Sequence, residues 1–200
     1  MRFVPIKQLE QQDLQALHRV RERLLKARTA LVNEIRGLPK DYGIVLPQGI
    51  TKFRTLIVSK LQNQQAKLTA FSTEVFWQLY DEFLSLEKHL AYYEKLAAMG
   101  QAHPECQRLQ TIPGIGPVSA TAILAAISDA TQFKNGRQFA AWLGLVPREH
   151  STGGKPRLLG IGKRSSSYLR KLFVHGARAT LRWVDLKQAD RSRWLKVLIA

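Results

Sequence analysis

The sequence predicts a mainly α chain, in which a long antiparallel coiled-coil hairpin precedes a small helical domain with a helix-hairpin-helix motif. Two apolar seams at helical spacing predict the hairpin. A proline- and glycine-containing turn between short helices predicts the motif, and strand signals are weak throughout.

The first seam covers residues 9–38. Leu17, Val20, Leu24, Ala27, Leu31, Ile35 and Leu38 recur at intervals of three and four, with Arg19, Arg21, Glu22, Arg23, Lys26 and Arg28 between them. A narrow apolar stripe in a charged exterior is the pattern of a coiled coil. Pro39 and Gly43 end it. Residues 39–52 read as a connection, and 53–62 as a short helix. A second long helix is expected over about 66–99, with Leu68, Phe71, Val75, Leu79, Leu86, Leu90, Tyr93 and Ala97 as its seam and Gly100 as its stop. Neither seam can bury itself alone, so the two pair with each other or with another protomer. Residues 1–100 are thus expected to be a coiled-coil linker and dimerisation region. Gly100, His103 and Pro104 mark a boundary, and 101–200 form the second domain.

Charge separates the halves. The chain of 200 residues carries a formal +16. Residues 1–100 hold 15 Lys/Arg against 10 Asp/Glu, a net +5, and residues 101–200 hold 16 against 5, a net +11. Like charge opposes a compact fold, so a polyanionic partner is expected, and mainly on the second half. Nucleic acid leads and an acidic membrane surface follows. No apolar run approaches the ~20 residues that span a bilayer, and the cations do not lie opposite one clean apolar face. The single cysteine, Cys106, can form neither an internal disulfide nor a metal site. It points to a reducing, cytoplasmic setting, and a DNA-bound protein there would associate with the nucleoid.

The motif reads Ile112-Pro113-Gly114-Ile115-Gly116-Pro117, followed by the small residues Ser119, Ala120, Thr121 and Ala122. Pro117 suits the first turn of a helix. Gly114 and Gly116 permit a tight turn and let backbone N–H groups approach a phosphate, which makes both candidate DNA contacts. The plainer alternative is a helical corner with no ligand.

A basic stretch follows. Phe139, Trp142 and Leu143 form an apolar face that reads as core. Between 148 and 182 stand nine Lys/Arg and one acid, Glu149. Lys155, Arg157, Lys163, Arg164, Arg170 and Lys171 are the candidate phosphate contacts. Ser165, Ser166 and Ser167 read as the cap of the helix carrying Tyr168 and Arg170. Residues 148–157 read as a polar loop, and Ser151 within it is a nucleophile only if cations around it stabilise a transferring phosphoryl group. From residue types alone, a solvated surface serine is the simpler reading.

The ordered set Ile112 to Gly116, Phe133 to Arg137, Ala141 to Arg148, His150 to Lys155, Leu159 to Ile161 and Tyr168 to Arg170 resembles the C-terminal domain of insertion-sequence-110 transposases (the IS116/IS110/IS902 type). The seamed helices at 9–99 resemble that family's linker coiled coil. The resemblance implies a DNA recombinase. In that family an N-terminal RuvC-like domain binds magnesium through four acidic residues, and the C-terminal domain supplies a serine that attacks a DNA phosphodiester. A structured RNA guides the choice of DNA. Carried onto this chain, the serine is Ser151, with Thr152 as its neighbouring alternative. The family usually reads Gly-Ile-Ser-Lys-Arg-Gly where this chain has Gly160-Ile161-Gly162-Lys163-Arg164-Ser165. No four-acid segment occurs in residues 1–100. The expectation is therefore an N-terminally truncated transposase, inactive alone, without a cofactor of its own and with magnesium needed only alongside the missing domain. DNA is the expected partner, with a guide RNA and a second copy of the chain. The alternative is a stand-alone dimeric DNA-binding protein of architectural or regulatory role.

Overall fold

Apolar spacing decides where each helix of the chain buries itself. A computed structural model describes residues 6–99, 103–162 and 165–183. The described residues are mainly helical: α1 (Leu9–Gly37), α2 (Ile50–Asn63), α3 (Ala70–Met99), α4 (Pro104–Gln110), α5 (Pro117–Ala126), α6 (Gly136–Trp142) and α7 (Ser167–Trp183), with short 3-10 turns between some of them. Contacts divide the chain into two units. One is Arg19–Leu96; the other joins the described residues before Arg19 to those after Leu96.

In the Arg19–Leu96 unit, α1 buries Leu24, Leu31, Val32 and Ile35, and α3 buries Phe76, Phe83 and Leu90 at intervals of seven. Seven residues are close to two helical turns, so each set lies on one stripe. Ion pairs give the direction of pairing. Arg28 meets Glu87 at 3.1 Å and Arg21 meets Glu94 at 3.3 Å. Seven residues backward on α1 match seven forward on α3, so the two helices run antiparallel.

The segment expected to be a short connecting helix carries more weight than that. α2 places Phe53, Ile57 and Leu61, all at or below 2% exposure, in the same core. The Phe53 and Phe83 rings meet edge to face with centroids 5.2 Å apart, and Arg54 joins Arg28 on Glu87. The unit is a three-helix arrangement rather than two seams alone. The connection before α2 is pinned as well: Ile44 and Leu46 are buried while Val45 between them is exposed, as extended chain on a core requires.

In the other unit, the start of α1 packs on α5. Lys7 donates to the Ala125 carbonyl at 2.9 Å and Gln11 to the Leu124 carbonyl at 3.2 Å. These are last-turn carbonyls that α5 cannot satisfy itself, and a cation there is favoured by the helix dipole. His18 is buried, with Nε2 3.1 Å from Thr121 Oγ1 and Nδ1 3.0 Å from Tyr168 Oη. It ties α1 to α5 and α7 at once. Replacing His18 by alanine should cost about 2–4 kcal/mol through a cavity and broken buried hydrogen bonds. Faster amide exchange across α5 would report it, and unchanged exchange would count against this role. Ala122, Leu143 and Leu169 form the core beneath, with Phe139, Leu172 and Phe173 against it. Phe139 and Leu143 thus lie in the core, as their spacing suggests, while Trp142 stays at its exposed edge.

Strands correct the sequence expectation. Pro147–Glu149 (β1) and Leu158–Ile161 (β2) pair antiparallel, and Thr152 bridges to Lys155. The segment read as a loop is a β-hairpin. Its turn residues, Gly153 and Gly154, both have positive φ, at 57° and 74°, the requirement of a type I′ hairpin turn.

Candidate nucleophile and nucleic-acid interface

The hairpin presents Ser151. Glu149, the last residue of β1, and Ser151, just beyond it, come together: Ser151 Oγ donates to Glu149 Oε1 at 2.5 Å and accepts from the Arg157 backbone N–H at 3.2 Å. His150 instead uses its backbone, donating to the Arg157 carbonyl at 2.9 Å. Ser151, Glu149, Lys155 and Arg157 are all exposed. The hydroxyl is therefore open to a large substrate and oriented by two bonds, with cations on the opposing side of the turn. Ser151, not the neighbouring Thr152, is the hydroxyl held against a carboxylate.

Residues named from the sequence separate into distinct roles. Lys171 is exposed on α7. Lys163 and Arg164 lie outside the described residues. Arg170 is half-buried and occupied internally. Its guanidinium donates to the Leu143 carbonyl at 3.2 Å, to the Gly162 carbonyl at 2.9 Å, and to Ser165 Oγ. These bonds join the end of α6 and the exit of the hairpin to α7. Ser166 caps α7 as its spacing suggests, accepting from the Leu169 N–H at 3.3 Å.

The two motif glycines also differ. Gly114 has φ of 87°, and a Cβ there would stand 2.7 Å from the Gly176 carbonyl oxygen of α7. The turn between α4 and α5 needs this glycine because α7 passes against it. Gly116 is the N-cap of α5, with open space where a Cβ would stand and no side-chain cap of its own. Pro117 has no N–H, so the first donors of α5 are the Val118 and Ser119 N–H groups, and Gly116 gives them no side-chain cap.

Sequence reasoning missed three residues. Glu149 was counted only as the lone acid. His175 and Arg178 were not singled out, although they follow Lys171 at four and seven residues. That spacing places all three along one exposed stripe of α7, while Leu169, Leu172, Phe173 and Gly176 face inward. The Gly153-Gly154 pair was the available signal for the hairpin. Cys106 is fully buried, and burial, then the neighbouring Glu105 carboxylate, push its thiol pKa up, so it stays a protonated, unreactive thiol at neutral pH. None of the described helices is long and apolar enough to cross a membrane.

Residues 106–193 match the transposase IS116/IS110/IS902 family. Over its whole length the chain is 47% identical to a probable family 20 transposase of Pseudomonas aeruginosa, of which it covers 60%. It is 46% identical, again over its whole length, to the transposase for insertion sequence element IS1111A of Coxiella burnetii, covering 55% of that protein. Similarity to the transposase for insertion sequence element IS1328 of Yersinia enterocolitica is 32% over 98% of the chain and 58% of the relative. The chain thus spans little more than half the length of the curated relatives it matches.

Proposed function

The chain belongs to the IS116/IS110/IS902 transposase family, and from that premise we propose that it grips DNA and presents Ser151 as the nucleophile of strand cleavage. The observation that carries this reading is the hairpin. It holds an exposed serine hydroxyl against a carboxylate, with Lys155 and Arg157 exposed beside it. Lys171, His175 and Arg178 on the outward stripe of α7 add a backbone-tracking surface. The α4–turn–α5 segment acts as a helix-hairpin-helix, in which the uncapped first turn of α5 offers N–H groups to a phosphate.

In this reading the α1–α3 pair is a coiled-coil linker through which two copies associate. Exposed Phe71, Leu84 and Tyr92 on α3 support that role. A structured RNA that guides target choice would share the basic surface. The described residues contain no group of three or more His, Cys, Asp or Glu side chains that could hold a metal. In this proposal the magnesium of the family's chemistry belongs to a RuvC-like acidic domain supplied from outside the described residues.

Binding to duplex DNA tests the electrostatic part. Each phosphate neutralised contributes about −0.9 to the slope of log affinity against log salt, so about four contacts give a slope near −3.6. The double variant Lys171→Ala/Arg178→Ala should flatten that slope by about 2. A slope near zero in the unaltered chain would overturn the DNA-binding reading.

A further inference from the structure

We infer that Glu149 is the proton acceptor for Ser151, a catalytic role for a side chain two residues before the nucleophile. The inference rests on the reading of Ser151 given above and adds a second residue to it.

The carboxylate and hydroxyl are already in contact, with Glu149 Oε1 2.5 Å from Ser151 Oγ. A serine hydroxyl is a weak nucleophile until its proton is directed to a base, and a base must lie within hydrogen-bond reach of the proton it takes. Among the side chains around the turn, Glu149 meets that condition. The His150 side chain, adjacent in the chain, makes no hydrogen bond to Ser151; His150 is engaged through its backbone N–H on the Arg157 carbonyl. The second bond to Ser151 strengthens the assignment. The Arg157 N–H occupies one lone pair of Oγ, so the O–H bond is directed at the carboxylate and another lone pair is left for attack. The two-glycine turn returns the chain so that residue 157 stands opposite residue 150, and the nucleophile is held by backbone geometry rather than by a mobile side chain.

The step balances as follows. A bond forms between Ser151 Oγ and phosphorus. One phosphorus–oxygen ester bond of the strand breaks, and the leaving oxygen takes the bonding pair and a proton from water. The Ser151 proton passes to Glu149 and from there to solvent.

A phosphorus electrophile that needs no metal and no second domain isolates this step. The whole chain is incubated with an alkyl fluorophosphonate, which loses fluoride when an oxygen attacks, and the adduct is located by mass spectrometry. Labelling is expected at Ser151, absent in Ser151→Ala and about a hundredfold slower in Glu149→Gln. The amide keeps the size and the acceptor oxygen of glutamate but cannot take the proton. Helical circular dichroism and DNA affinity of Glu149→Gln verify its fold. Labelling of Ser151 at one rate in both chains would overturn the role of Glu149 and leave Ser151 as nucleophile. Labelling of other serines with none at Ser151 would remove both. Replacing Ser151 by cysteine supplies a nucleophile that ionises without help, so Glu149→Gln should lose its effect in that background. A persisting hundredfold effect there would mean that Glu149 holds the hairpin in shape and does not accept the proton.

Discussion

Ser151→Ala is expected to reduce DNA strand cleavage by about 10³-fold or more while leaving DNA affinity nearly unchanged. Removing a covalent nucleophile costs this much because no other group can form the intermediate. Affinity should persist because the contacts proposed for the backbone are charges on Lys155, Arg157, Lys171 and Arg178, all exposed and separate from the hydroxyl. The alanine gives up the Arg157 N–H bond to Oγ but keeps the backbone pairing of 147–150 with 157–161, so the hairpin should persist. The measurement is cleavage of a labelled terminal sequence with magnesium, using the chain joined to an acidic RuvC-like domain of the kind the proposal requires. Thr152→Ala serves as the control one residue away and should cleave normally. Cleavage by Ser151→Ala at the unaltered rate would refute the nucleophile. Tight DNA binding with cleavage by neither chain would favour an architectural or regulatory DNA-binding protein.

Gly176→Ala should be the most destabilising single methyl group in the unit that holds α4 to α7. A Cβ at Gly176 would overlap the Gly114 carbonyl oxygen, backbone against backbone. Neither side can give way cheaply. Gly114 is held at a φ of 87° by the turn, and α7 is fixed further along by Leu169, Leu172 and Phe173 in the core. Overpacking of this kind costs about 3 kcal/mol at the upper end of its usual range. Because α7 carries Lys171 and Arg178, DNA affinity should fall with stability. Gly116→Ala is the matched comparison. It has open space and an ordinary backbone conformation, so its effect should stay within about 1 kcal/mol. Chemical denaturation of the two variants side by side checks the pair. Equal stability of both would show that α7 does not press on the turn.

These contrasts mark the line between what the residue order contains and what the folded chain adds. Periodicity is a local property, and so α1, ending at Gly37, and α3, ending at Met99, were legible as helices, although the expected seam residues Leu38 and Phe71 are exposed and α3 buries Phe76 and Phe83, outside its expected seam, together with Leu90. Helix caps are local too, which is why Ser166 at the start of α7 and Pro117 in the first turn of α5 were readable. The hairpin was locally encoded by Gly153-Gly154 and was overlooked because its strands are only three and four residues long, too short for alternation to show.

The residue order by itself determined the helical class, the concentration of positive charge in the second half and the family to which the ordered motifs belong. Helix spacing, charge and motif order require no knowledge of which segments meet. Tertiary structure decided the rest. It tied the Arg170 guanidinium to the Leu143 and Gly162 carbonyls, and it made Gly114 the seat of α7. It also brought α2 into the core with Phe53, Ile57 and Leu61, and set Glu149 against Ser151. The physical reason is common to all four. What a glycine, an arginine or a serine does depends on the atoms that the returning chain places beside it, and that distance is not written in the spacing of residues along the sequence.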